Sequence, residues 1–266
     1  MQCVVVGSPL RLENVVQSVK RLGILGGLSW ASSLKYYELI NLEILKLTGG
    51  ARSGDIVMWS FDYTHFPPLL AAGDWKSIAR LLQEAADKLV ACNVDGMMIA
   101  SNTIHEMLDQ HELNIPVDFL DIRDSLLAEL RGRDIKRIGL LGTSSTMGGE
   151  VYRKLISGAE GIEAVLPPEK LWGDVDDMIF NGLCQGEDRP GDRKLARQIF
   201  DFFEQKDMQH VVLACTELGL LHVKRPGLTL LDTTEIHARD VARWSALPVM
   251  AEAQQVRAAS ASGRRS

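Results

Sequence analysis

Cysteine is scarce in this chain: Cys3, Cys92, Cys184 and Cys215 are its four, too few and too scattered for a disulfide framework. None sits in a CxxC or Cys/His spacing of the zinc-holding kind, so no metal is expected. Thiols left reduced fit a cytoplasmic protein. Long apolar runs are missing too. No stretch reaches the roughly 18–20 residues of a membrane span, and residues 1–6 lack the basic flank of a signal peptide. Positive charge is also short, with 29 Lys and Arg against 35 Asp and Glu for a net −6. That balance argues against a nucleic-acid partner. The cluster of Arg131, Arg133, Lys136 and Arg137 is interleaved with acid and reads as a solvated helix end. No GxGxxG follows any strand, which argues against a nicotinamide cofactor.

What remains is an ordinary apolar fraction, 46%, enough to bury a core in one or two α/β domains. A strand is predicted over residues 21–25, closed by Gly26-Gly27, and a helix over 29–45 whose start carries the small capping residues Ser29, Ser32 and Ser33. A second strand is expected over 55–60. The segment 65–74 reads as a loop because it contains Pro67-Pro68. Ile78, Leu81, Leu82, Ala85, Ala86 and Leu89 then recur at helical spacing, followed by a buried-type strand over 96–100. The second half reads alike: a strand over 137–141, helices from Thr146 (carrying Val151, Leu155 and Ile156), over 175–184 and over 193–205, a strand over 211–214, and a helix from Thr234 to Trp244. Strands alternating with helices predict parallel sheet.

The chain also repeats itself. Arg21-Leu22-Gly23-Ile24-Leu25-Gly26 matches Arg137-Ile138-Gly139-Leu140-Leu141-Gly142, and Met97-Met98-Ile99-Ala100-Ser101 echoes Val211-Val212-Leu213-Ala214-Cys215. Two matches in one order at nearly one offset point to a duplicated half. Ligands of open parallel sheets bind beyond the carboxyl ends of the strands. Ser101 and Cys215 stand just past such ends, in equivalent places. If the halves face each other, the two side chains approach one cleft from opposite sides, as inversion of a carbon centre requires.

Cys215 opens Cys215-Thr216-Glu217-Leu218, where the positive end of a following helix would lower the thiol pKa; a small buried cysteine that only packs is the alternative. Ser101-Asn102-Thr103-Ile104-His105 offers three hydrogen-bonding side chains for a carboxylate, or an ordinary helix cap. His105 is either a structural partner or the group that activates Ser101. Gly26-Gly27-Leu28-Ser29 and Gly142-Thr143-Ser144-Ser145-Thr146 are candidate anion loops, the latter for the other end of a dicarboxylate.

These residues resemble the aspartate/glutamate racemase superfamily from about Arg21 to Trp244. Gly26-Gly27-Leu28-Ser29-Trp30 with Tyr36-Tyr37 and Ile40-Asn41 looks like its opening pattern. Ser101-Asn102-Thr103-Ile104-His105, Cys215-Thr216-Glu217-Leu218, and Asp232-Thr233-Thr234 with His237 look like its later motifs, in order. The resemblance implies two flavodoxin-like α/β halves with the active site between them: residues 21–118 with 232–250, and residues 119–231. It leaves 1–20 as an extension and 251–266 as a tail expected to be disordered. It further implies a homodimeric, cofactor-independent amino-acid racemase working by two opposed acid/base residues, Cys215 and Ser101. Asn102, Thr103, Thr143 and Thr216, with Ser29 and Glu217 from the motif loops, would hold a small amino acid or dicarboxylate. The sequence departs from the family's pattern in three places. Ser101 stands where many members have cysteine, Cys184 where some have a substrate-contacting lysine, and Asn181-Gly182 where an acidic pair is usual. Retention of one thiol keeps open a single-cysteine isomerase or decarboxylase of the same superfamily, maleate isomerase-like, and a catalytically silent amino-acid-binding homologue.

Overall fold

The structure, a computed structural model, describes residues 18–50, 52–108, 110–149, 152, 161–221, 223 and 225–262. It contains two four-stranded sheets in which every recorded pairing is parallel, and their strand orders are the same. In the first, β1 (Leu22–Gly26), β2 (Ile56–Ser60), β3 (Gly96–Ile99) and β4 (Asp118–Phe119) run in the order β2-β1-β3-β4. In the second, β5 (Arg137–Leu141), β6 (Glu163–Val165), β7 (His210–Leu213) and β8 (Thr229–Asp232) run β6-β5-β7-β8. The repeated peptides thus occupy corresponding central strands, β1 with β5 and β3 with β7. Every residue of β1 and β3 is buried, because helices cover both faces of the sheet.

Among the described residues the helices with defined bounds are α1 (Trp30–Leu47), α2 (Phe66–Ala72), α3 (Trp75–Ala91), α4 (Ile122–Gly132), α5 (Ser144–Gly148), α6 (Trp172–Phe180), α7 (Pro190–Gln205) and α8 (Thr233–Ser262). Five begin at a side-chain cap: Ser29, Asp74, Asp121, Thr143 and Asp232 each accept a backbone N–H of the first turn. In α3 the buried set Ile78, Leu82, Ala85, Ala86 and Leu89 falls on the stripe its spacing predicts. Pro67-Pro68 does not make a loop. The pair occupies the first turn of α2, where a missing N–H costs nothing, and Gly73 ends that helix in the left-handed region at φ 64°.

Ser18, Val19 and Lys20 are the described part of the expected extension. Val19 packs in the α1/α8 core cluster and the Lys20 N–H donates to the Ser245 carbonyl at 2.8 Å. Residues 1–17 lie outside the described residues, as do Val151, Leu155 and Ile156, expected on a helix. Of the expected tail, residues 263–266 lie outside the described residues. α8 continues to Ser262, in keeping with the alanine, glutamine and glutamate that fill the segment and favour helix. Among the described residues no helix is long and apolar enough to cross a membrane. Ala238, Val241 and Ala242 of α8 pack with Ile24, Tyr36 and Ile40, so the C-terminal helix lies against the first sheet's layer while β8 belongs to the second. Two central strands from each sheet, with their following loops, are thereby set around one gap.

Candidate active site

Ser101 lies two residues beyond the end of β3, and Cys215 two residues beyond β7. Both line one cavity with about 500 Å³ of empty space, part of it open to solvent. The loops after β1 and β5 reach the same space through Ser29 and Thr143, which remain the caps of α1 and α5. The cap and the cavity-lining roles therefore coincide. Asn102, Thr103, Thr216 and Glu217 line it too, so eight of the nine expected site residues converge; His105 does not.

Glu217 organises the polar side of this cavity. Its Oε2 accepts from the Cys215 thiol at 3.1 Å and from the Thr216 hydroxyl at 2.7 Å. Its Oε1 accepts from the Ser32 hydroxyl at 2.6 Å, and Ser32 also contacts Thr216 Oγ1. Ser32 comes from α1, so this carboxylate is gripped from both halves. The expectation of a lowered Cys215 pKa is overturned. Among the described residues the chain just beyond Cys215 forms a 3₁₀ turn, Leu218–Leu221, and no α-helix that would supply a dipole. Burial, then the Glu217 carboxylate and the neighbouring Cys184, push the thiol well above its ordinary value. Cys184 is raised likewise, first by burial and then by Glu217, and its thiol meets both Glu217 and the Ser29 hydroxyl. Tyr63, from the segment after β2, faces the same groups and is pushed up to about 12, mainly by burial.

His105 does not serve Ser101 as expected. Its ring is fully buried, with Nδ1 2.6 Å from the Ser101 main-chain carbonyl and Nε2 3.7 Å from Asp121. It fixes the backbone of the Ser101 loop and stands away from the hydroxyl's cavity. Burial holds its pKa below the usual imidazole value despite Asp121. Asn102 ties the same loop across the gap: its Nδ2 donates to Thr233 Oγ1 at 3.1 Å, and its Oδ1 accepts from the Tyr152 hydroxyl. Thr233 in turn donates to the Leu213 carbonyl at the end of β7 at 2.9 Å. The two strand ends bearing Ser101 and Cys215 are thus linked through one hydrogen-bonded chain.

The apolar wall made by Phe66, Leu70, Ile179 and Phe180 was not foreseen from the sequence. The first two were hidden because Pro67-Pro68 concealed α2. Ser32 was seen only as a capping candidate; its position one helical turn from Ser29 was the available signal. Among the described residues no cluster of His, Cys, Asp and Glu is placed to hold a metal ion.

A doubly built α/β fold with a buried thiol and a hydroxyl at equivalent strand ends of one cavity defines the class. The family model for Asp/Glu/Hydantoin racemase matches residues 25–241, and the chain belongs to that family. It is similar to a glutamate racemase of Thermus thermophilus, 27% identical over 177 residues that make up 62% of this chain and 61% of that protein. This chain therefore spans about three fifths of the length of that curated relative. Among solved structures it resembles a chain from Yersinia pestis assigned to the Asp/Glu racemases, with 32% identity, TM-score 0.76 and coverage of 85% of this chain and 99% of the other. An aspartate racemase homologue from Pyrococcus horikoshii matches with 26% identity, TM-score 0.70, and coverage of 85% and 99%.

Proposed function

We propose that this protein racemises an amino acid without a cofactor, with Cys215 and Ser101 exchanging protons on opposite faces of the substrate's α-carbon. The observation that carries the reading is their placement at equivalent strand ends of one cavity, with Glu217 accepting from the thiol. The raised thiol pKa means that Cys215 rests as S–H. An incoming substrate ammonium favours the thiolate, whose proton passes to Glu217. The Cα–H bond breaks, its proton goes to sulfur, and the carbanion takes the proton of the Ser101 hydroxyl from the other face. Water returns a proton to Ser101, and the proton on Glu217 neutralises the hydroxide left behind. Asn102, Thr103 and Ser29 supply donors for the substrate's α-carboxylate, while Thr216, donating to Glu217, and Thr143, engaged with Thr146, shape the same wall.

A hydroxyl without a neighbouring base donates more readily than it abstracts, so the two faces are unequal. In deuterated water, α-deuterium should enter the enantiomer whose Cα–H faces Cys215 faster than the other. Cys215→Ala should abolish exchange, and Glu217→Gln should slow it by about 10²–10⁴. No α-exchange across a panel of D- and L-amino acids would refute the function. The single-thiol isomerase or decarboxylase reading is favoured by one observation, the absence of His105 from the Ser101 hydroxyl. Ser101→Ala separates the two, stopping inversion in a racemase and sparing a decarboxylase. The protein would act in a reducing compartment, in keeping with free Cys92, Cys184 and Cys215. Exposed Trp30, Leu34 and Tyr37 at helical spacing on α1 support a homodimer, which sedimentation would test.

A further inference from the structure

We infer that the cavity selects an amino acid with an uncharged side chain, such as an amide, a thioether or an aliphatic chain, over aspartate and glutamate. This rests on the racemase reading and adds its substrate class. Recognition of a dicarboxylic amino acid requires donors for a second carboxylate, and the second half's loop after β5 is where the sequence offers them. In the structure the donors of Thr143 and Ser144 are taken, leaving Ser145 at the outer pocket. Asp176 of α6 accepts the Ser144 N–H at 2.8 Å through Oδ1 and the Ser144 hydroxyl through Oδ2. Thr143 Oγ1 is likewise engaged, 3.2 Å from the Thr146 N–H and 3.0 Å from its hydroxyl. The protein's own carboxylate stands on the loop where a ligand's distal carboxylate would need to be.

The charge inside points the same way. Glu217 lines the cavity, and Asp176 lines an adjoining outer pocket that shares Tyr63, Leu70, Thr103 and Phe180 with it. Among the described residues lining either space there is no Lys, Arg or His. Glu217 has two carboxylate oxygens with about four acceptor sites, met by Cys215, Thr216, Ser32 and the weakly donating Cys184 thiol, so a substrate ammonium binds there by displacing the Cys184 contact. A zwitterion with a neutral side chain meets this arrangement without an unpaired charge. The rest of the wall is largely apolar, with Leu28, Phe66, Leu70, Ile104, Ile179 and Phe180, and beside them stand the Tyr63 phenol and the protonated thiol of Cys184. A side-chain carboxylate placed there would shed its water against hydrocarbon and beside two anions, whereas an amide or thioether of the same length loses far less.

The test compares matched pairs on the full-length protein: glutamine with glutamate and asparagine with aspartate, plus methionine, read by α-proton exchange and by inversion. The amide should exceed its acid in kcat/KM by about tenfold or more. Exchange from glutamate or aspartate at or above the rate of the amides overturns this inference alone. Exchange from none of the five, nor from a wider panel, overturns the racemase reading and this inference with it. Asp176→Asn keeps the shape and removes the charge, so the glutamine-to-glutamate ratio should fall several-fold. An unchanged ratio would overturn the role given to Asp176.

Discussion

His237 makes acid stability a sharp test of how this molecule is packed. It sits fully buried where α8 meets α1 and the chain after β4, with Nε2 2.9 Å from the Leu120 carbonyl and Nδ1 3.0 Å from the Tyr36 hydroxyl. A carbonyl only accepts, so Nε2 carries the proton and Nδ1 accepts from Tyr36, which is the neutral ring. Burial, and then the nearby His105, depress its pKa to about 3. An unfolded histidine titrates near ~6.5. Between those values the unfolded chain binds more protons, so stability is complete above about pH 6.5 and drains as pH falls toward 3. At about 1.4 kcal/mol per pH unit, the loss is roughly 3 kcal/mol by pH 4.5 and about 5 kcal/mol in full. Urea unfolding followed by circular dichroism at stepped pH measures it. His237→Gln, which can still donate to Leu120 and accept from Tyr36, should flatten the curve by about 3 kcal/mol between pH 7.5 and 4.5. Wild type and variant falling in parallel over that range would refute the reasoning.

Asp232 should do the reverse. Burial raises its carboxyl to about 6 although it accepts the Thr234 and Glu235 N–H groups. The folded state then holds the proton better, so its contribution is present below about pH 4 and is lost as pH rises through 6, about 3 kcal/mol in all. Asp232→Asn keeps an α8 cap and should raise the urea midpoint at pH 7 while leaving it nearly unchanged at pH 4; an unchanged midpoint at both would count against the assignment. Gly27→Ala probes the loop that carries Ser29 into the cavity. Gly27 has φ 76°, and an added Cβ would stand 2.2 Å from the Phe61 nitrogen, so a loss of about 2–4 kcal/mol and a lower melting temperature are expected. A variant that melts with wild type would show that this backbone can yield.

The central strands β1, β2, β3, β5 and β7, the duplication and several helices were legible in the sequence because each depends on neighbours a few residues apart, whereas the short edge strands β4, β6 and β8 and helix α4 were not read. Leu22–Gly26 and Arg137–Leu141 announce buried strands by their own composition, and Ser29 caps its helix whatever lies beyond it. The same locality explains why Ser101 and Cys215 could be paired in advance, since equivalent strand ends of a repeated unit end up on the same side of their sheets. Where local rules spoke with two voices, as at Pro67-Pro68 and in the alanine-rich C-terminal segment, the helix was missed.

Tertiary structure alone decided the chemistry of those side chains. Ser32 reaches Glu217 across 185 positions of chain, Tyr152 reaches Asn102 across 50, and Asp176 takes the donors of Ser144 from another helix. Whether the Cys215 thiol is raised or lowered depends on the water it has lost and the carboxylate placed beside it, and both result from packing. Sequence names the groups, but the field each one feels is a sum over everything folded around it.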